Sequence, residues 1–345
     1  MRTRDLFAIA NFLVCICLIE TTWVALCKLR ADVYEIWYVS VVCVQGNCSK
    51  YDLSDISRRN ASASRNTHIV PNDETSSVVV FIAPGPVSSS LSHQPTSARG
   101  GHSTSTITGP NILYVAATRS TKGLPAYKDL IPAICMRNID DFNLFSSDFL
   151  TPSRVFIEAQ QRDTFRVDYV YGFSSLQFSY FLTVQRAATD ATAAEDLVTR
   201  VARVCQRNPA LTYTYAEIPF ECRQRSRVYG VLRAATVVRV GAQLARSLGL
   251  PDEAPATDND DVLVAVFADL SAVAAAGGSG GVAHALCVYP VLAVRRKFTE
   301  TIQKCFNGVG NTGPEHIVVP QPCTKTVCIS QPTSSYSAAV LFTIL

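Results

Sequence analysis

The stretch RVDYVYGFSSLQFSYFLTVQR, at residues 166–186, indicates the fold class of this chain more strongly than any other. Apolar side chains fill every second position on both sides of a turn at residues 174–177. The two series are Phe165, Val167, Tyr169, Tyr171 and Phe173, and then Phe178, Tyr180, Leu182 and Val184. A period of two with aromatic and β-branched side chains is typical of a β-hairpin. We therefore predict a long hairpin with each series on one face of its strand, and we expect these aromatic rings to lie in a core.

Shorter strand patterns lie on both sides of this hairpin. They occupy residues 37–44, 77–83, 112–118, 155–159, 197–204, 212–218, 262–268 and 284–289. Turn residues separate them, and a Ser/Thr/Gly-rich stretch at residues 87–109 is typical of an exposed loop. The chain has 345 residues, 48% of them hydrophobic, which is enough for a sizeable core. Many short strands indicate an all-β sandwich, barrel or propeller, and periodicity alone does not choose among them.

Two segments show the helical period instead. Residues 229–248 carry an apolar stripe and are followed by Gly249 and Pro251, which are typical of a helix end. Residues 294–305 have a second stripe, formed by Val294, Phe298, Ile302 and Cys305. We predict a helix over each of these two segments.

The cysteines and the N-terminus indicate the secretory pathway. Twelve cysteines are scattered along the chain without zinc-ligand spacing, so disulfides in an oxidising compartment are expected. Arg2 and Arg4 precede a short apolar run at residues 6–19, which is the pattern of a signal peptide. We assign residues 1–26 to a signal peptide or, alternatively, to an aberrant leader. No later stretch is long and apolar enough to cross a membrane, and Cys135 is expected to be a buried free thiol.

Several function classes are disfavoured by the same sequence. The net charge of +3 is spread thinly, and no basic cluster interleaves with aromatic residues, so nucleic acid is not an expected partner. The five histidines lack a second ligand at metal spacing. Residues 277–281, GGSGG, formally match the nucleophile motif of serine hydrolases, but no strand precedes them and no helix follows. A secreted hydrolase using Ser279 is a distant alternative, and we expect no catalysis, cofactor or small-molecule substrate.

A set of short motifs follows in a fixed order along the chain. They are CVQGNC at residues 43–48, DYVYGFSS and YFLTVQ in the hairpin, RVC at 203–205, YTYAEIPFEC at 213–222, LCVYP at 286–290 and CFNGVG at 305–310. In order and spacing these motifs resemble the sema domain of plexins, the cell-surface receptors for semaphorins. The resemblance covers residues 41–328 and rests on the collinear order rather than on any single motif.

The resemblance implies a fold and a set of covalent features. The fold is a seven-bladed β-propeller at residues 27–345, expected to be incomplete at both ends, with a helical insertion at about residues 222–260. The implied disulfides are Cys43–Cys48, Cys205–Cys328, Cys222–Cys287 and Cys305–Cys323. Asn60, in the acceptor pattern Asn-Ala-Ser, is expected to be glycosylated.

The function implied by the resemblance is recognition of another protein. The chain is expected to bind the sema domain of a semaphorin on the extracellular side of the plasma membrane, in the signalling that guides axons and migrating cells. A homodimer or a co-receptor contact is allowed by the same resemblance. Two alternatives within the fold stay open, namely a semaphorin ligand and the sema ectodomain of a growth-factor receptor kinase.

Overall fold

The computed structural model divides the chain into two units, residues 1–68 and residues 69–345. In the first unit it describes the backbone of residues 22–28, 38–44 and 47–52. In the second unit it describes residues 69–87, 109–148, 152–187, 197–250, 261–269, 282–310 and 316–317, without positions 72, 74, 121, 123–128, 141 and 249.

The first unit contains an antiparallel sheet of three strands in the order β1-β2-β3. These strands are β1 (Thr22–Lys28), β2 (Tyr38–Val44) and β3 (Asn47–Asp52). The pairing of β2 with β3 places Cys43 directly opposite Cys48. Strand β1 begins inside the segment assigned to a leader, and the boundary at residues 26 and 27 stays a prediction.

The second unit is built from consecutive antiparallel sheets, the arrangement of propeller blades. The first sheet has the order β4-β5-β6-β7 and the second has the order β8-β9-β10-β11. The strands of the first sheet are β4 (Val78–Pro84), β5 (Asn111–Ala117), β6 (Ile134–Arg137) and β7 (Arg154–Val155). Those of the second sheet are β8 (Val167–Ser175), β9 (Phe178–Arg186), β10 (Leu197–Cys205) and β11 (Ala216–Pro219).

A short hairpin and a third sheet follow. The hairpin joins β12 (Cys222–Gln224) to β13 (Arg227–Tyr229). The third sheet has the order β14-β15-β16, formed by β14 (Val231–Arg239), β15 (Asp261–Asp269) and β16 (Ala283–Pro290). The helices among the described residues are α1 (Leu211–Thr214), α2 (Ala242–Ser247) and α3 (Val291–Phe306). The predicted second helix and the aromatic hairpin are both confirmed.

The predicted helix at residues 229–248 is wrong. Residues 231–239 are strand β14, and within residues 222–248 only the six residues of α2 are α-helical. Five β-branched residues between 231 and 240 favour a strand. Eight register pairs with β15 supply the tertiary hydrogen bonds that override the helical period. The strand predicted at residues 212–218 is also partly wrong, because α1 occupies its first half.

The prediction that the first aromatic series shares one face is wrong as well. A bulge interrupts β8 between Tyr169 and Tyr171. Because a bulge adds one residue to a strand, the side chains after it point to the opposite face. Tyr169 packs edge-on against Phe181, while Phe173 stacks on Tyr180 with the ring centroids 4.8 Å apart.

Two cores lie on the two faces of the second sheet. One core joins it to the first sheet through Phe81, which stacks on Tyr114 and contacts Phe181, both at 5.4 Å between ring centroids. The other core joins it to the third sheet and α3, and includes Phe173, Phe267 and Phe298. Both cores therefore depend on the central hairpin, because β8 and β9 contribute side chains to each.

Candidate functional site

The β12–β13 hairpin is held against the third sheet by covalent and ionic contacts. Cys222 of β12 and Cys287 of β16 form a disulfide, the pairing implied by the resemblance. Arg227 Nε donates a hydrogen bond to Asp269 Oδ2 at 2.7 Å. These contacts leave the hairpin turn in solvent, where Arg223 and Arg225 are exposed. The result is a rigidly mounted, arginine-bearing loop.

The other predicted covalent sites are described only in part. Cys205 and Cys305 are disulfide-bonded, and the partners that the resemblance gives them, Cys328 and Cys323, lie outside the described residues. Those two pairings, and the Cys43–Cys48 bond, stay predictions. Cys135 is a buried free thiol, as predicted. Asn60 and Ser279 also lie outside the described residues.

A buried carboxylate lies between the first two sheets. Glu217 of β11 accepts a hydrogen bond from the Tyr215 hydroxyl and another from Gln185 Nε2 at 2.9 Å. Its Oε2 is 3.9 Å from Arg200 Nε. Burial raises the pKa of Glu217 above its usual range, and the two hydrogen bonds and Arg200 oppose that rise. The alternation of β9, β10 and β11 brings these side chains to one face.

His316 completes this buried cluster from a distant part of the chain. Its side chain is 1% exposed and stacks on Phe165 with the ring centroids 4.0 Å apart. Its Nε2 lies 4.0 Å from Glu217 Oε1, and neither ring nitrogen has a hydrogen-bond partner in the described part of the chain. Burial, and secondly the charge of Arg200, lower the pKa of His316 to about 3. The imidazole is therefore neutral at physiological pH.

A buried arginine holds α3 on the second sheet. Arg203 of β10 is 3% exposed and lies between two rings, with its guanidinium carbon 4.1 Å from the centroid of Phe178 and 4.6 Å from that of Phe298. Burial lowers the pKa of Arg203, and Tyr180 opposes this effect. Aromatic faces stabilise a desolvated guanidinium by cation–π attraction. This contact could not be predicted from the sequence, because Phe178, Arg203 and Phe298 are far apart in the chain.

The side chains of the cluster around Glu217 are all buried, namely Glu217, Gln185, Tyr215 and His316. No group of three or more potential metal ligands occurs among the residues that the structure describes. Within the same residues, no helix has the length and apolar character needed to span a bilayer. Exposed surfaces among the described residues include the arginine-bearing hairpin and the outer face of the third sheet.

The outer face of the third sheet is apolar and only partly covered. The register places Val238, Val264 and Leu286 on the face opposite the core. Leu248 and Leu250 cover one end of this face, whereas Val238 and Leu286 are 38% and 41% exposed. A sheet with two apolar faces is typical of a structure that buries both.

Comparison with known proteins identifies similar sequences and structures. No protein-family model matches the chain. Human plexin-A2 is 33% identical over an alignment of 157 residues, which covers 43% of this chain and 8% of plexin-A2. Two structures of the plexin A4 extracellular region superpose with a TM-score of 0.60 at 20% identity, over 90% of this chain. The chain spans 31% and 24% of those two plexin A4 chains.

The fold is that of a β-propeller sema domain, as in the plexin A4 extracellular region. In sequence the chain is similar to human plexin-A2 over the aligned region. The similarity implies an extracellular or cell-surface location, with which the disulfide between Cys222 and Cys287 agrees.

Proposed function

We propose that this chain is a semaphorin-binding recognition module of a plexin-type receptor and that it has no catalytic activity of its own. The observation that carries the proposal is the 33% identity to human plexin-A2 over 157 residues. The fold supports it, because packed sheets hold their connecting loops as rigid and broad surfaces. The buried polar groups support it too, because Glu217, His316 and Arg203 are buried, and His316 and Arg203 pack against aromatic rings.

The proposal is tested by direct binding to purified semaphorin ectodomains from the same source. The chain, or an ectodomain containing it, is immobilised and exposed to each semaphorin, with an unrelated β-sandwich ectodomain as the specificity control. We expect saturable binding that persists at raised salt, because a stable protein interface buries about 1,200 Å² or more and does not depend on screened charges alone. Absence of binding to every semaphorin by cooperatively folded protein would refute the proposal.

A second arm of the same experiment separates receptor from ligand. Plexin ectodomains replace the semaphorins on the sensor surface. A plexin-type receptor module is expected to bind semaphorins and a semaphorin ligand to bind plexins. Saturable binding to plexins without binding to semaphorins would therefore place this chain on the ligand side.

A further inference from the structure

We propose that His316 and Ile317 form an acid-sensitive latch between the first two sheets, and that proton uptake by His316 releases it. The latch is defined by residues 316–317. Its backbone pairs with the segment that follows β7, through a bridge between Ile157 and Ile317 and a hydrogen bond from the Glu158 N–H to the His316 carbonyl at 2.8 Å. Its imidazole reaches Glu217 of the second sheet. Two residues thus contact both sheets.

The imidazole is seated as a neutral ring. It stacks on Phe165, and its two nitrogens have no hydrogen-bond partner among the described residues. A buried imidazolium would need two acceptors, because both of its nitrogens are donors. The nearest acceptor is Glu217 Oε1 at 4.0 Å, which already accepts a hydrogen bond from the Tyr215 hydroxyl. Protonation in place would therefore leave a buried charge poorly satisfied.

The charged and titratable groups around the ring do not favour the cation. Arg200 of β10 opposes protonation of His316 by charge repulsion. Tyr215 and Tyr169 both interact with Glu217, and burial raises the pKa of each hydroxyl, so both are neutral. Burial also raises the pKa of Glu217, whose Oε1 lies 4.0 Å from the ring.

On the side of the first sheet, the charged residues next to the latch are Glu158 and Arg162. Glu158 contributes its backbone N–H to the latch, and Arg162 donates its Nε to the Ile157 carbonyl at 2.8 Å. Arg162 is a further cation near the latch backbone. The two cations, Arg200 and Arg162, therefore favour release when His316 gains a proton.

The sign and size of the effect follow from linkage. The pKa of the seated imidazole is about 3, below the value of 6.5 for a released one. The stability gained from seating the ring is therefore fully present above the released pKa and is lost as the pH falls below it. From these values the released population rises about tenfold between pH 7.5 and pH 5.5.

The Glu158 amide reports this opening directly, because its hydrogen bond is made to the latch. Hydrogen exchange is measured on the whole chain at both pH values and corrected for the intrinsic pH dependence of exchange. We expect the protection factor of the Glu158 amide to fall about tenfold on acidification. The Thr118 amide, bonded to the Ser77 carbonyl at 2.8 Å, serves as the control and should not change. Unchanged or increased protection of Glu158 at the lower pH would overturn the proposal.

Two variants assign the proton. His316→Phe keeps a planar ring against Phe165 and removes the basic nitrogens, so Glu158 protection should lose its pH dependence. Glu217→Gln removes the carboxylate and keeps a polar partner for Gln185 and Tyr215, so the loss of protection on acidification should persist. Loss of the pH effect in Glu217→Gln would make Glu217 the proton acceptor and would also overturn the proposal. If His316→Phe does not fold, the wild-type comparison still decides.

Discussion

Substitution of Gly172 by alanine tests how closely the first two sheets approach. A Cβ at this position would lie 2.6 Å from Phe81 Cε1, 2.7 Å from Val79 Cγ1 and 2.8 Å from Phe81 Cδ1. All three contacts are far inside van der Waals distance, and Phe81 is itself fixed by stacking on Tyr114. The sheets must move apart or Phe81 must leave its position, so Gly172→Ala is expected to destabilise the fold.

The magnitude follows from two opposing effects. Overpacking of a close-packed core costs about 1–3 kcal/mol. Replacing glycine by alanine lowers the conformational entropy of the unfolded chain, which stabilises the protein by about 0.4–1 kcal/mol where the backbone geometry is compatible. Gly172 does not have a positive φ, so this offset applies. We expect a net loss of about 1–2 kcal/mol and a decrease in Tm of roughly 2–8 °C.

The assay compares thermal and urea unfolding of Gly172→Ala with those of Gly230→Ala. Gly230 is a matched control, because its added Cβ would meet only the Leu197 carbonyl oxygen at 3.7 Å, an ordinary contact. Gly230→Ala should be neutral or slightly stabilising. In a Phe81→Leu background, Gly172→Ala should cost less, since the clashing ring atoms are gone. Equal stability of the two alanine variants would refute the close approach of the sheets.

Three further changes probe the second and third sheets. The β8–β9 turn holds Leu176 and Gln177 at φ values of 40° and 66°, so replacing this pair with Asn-Gly should stabilise the protein by about 1 kcal/mol, measured by urea unfolding. Replacing both Cys222 and Cys287 with alanine opens a 65-residue separation and should cost about 4 kcal/mol under non-reducing conditions. An unchanged free energy of unfolding in the double variant under non-reducing conditions would contradict this. Arg203→Ala should destabilise by about 3 kcal/mol by leaving a cavity between two rings, whereas Arg203→Met should be nearly neutral, and calorimetry of both variants separates volume from charge.

The sequence predicts those elements whose local pattern agrees with their environment. The hairpin of β8 and β9, strand β15 and helix α3 were all predicted, because strict alternation or a clean helical stripe continues over the whole element. The sequence does not predict strand β14, because its residues fit a helical stripe and only their pairing with β15 makes them a strand. Local pattern therefore fails where tertiary hydrogen bonds reverse it.

The buried clusters were beyond sequence reasoning for a different reason. Glu217 and His316 are separated by about a hundred positions and meet only after two sheets have packed. Glu217 lies in the YTYAEIPFEC motif and His316 lies in no motif, and neither pattern indicates that the two residues meet. The Cys222–Cys287 pairing came from the resemblance and not from spacing, because the number of pairings among scattered cysteines is large. Contacts between residues far apart in the sequence can be predicted only from the three-dimensional fold or from a resemblance to a known family.

The bulge in β8 explains why one hairpin can serve two cores. Before the bulge, Tyr169 packs against Phe181 on the side of the first sheet. After it, Phe173 stacks on Tyr180, and the Tyr171 hydroxyl accepts a hydrogen bond from the Val237 N–H of the third sheet at 3.1 Å. An uninterrupted strand would direct Tyr169, Tyr171 and Phe173 to the same core and leave the other short of side chains. The extra residue also turns Gly172 toward the first sheet, where only a residue without a Cβ allows Phe81 to approach. The bulge and Gly172 therefore act together to let one hairpin pack on both of its faces. The regular alternation in the sequence predicts the hairpin but does not indicate the bulge.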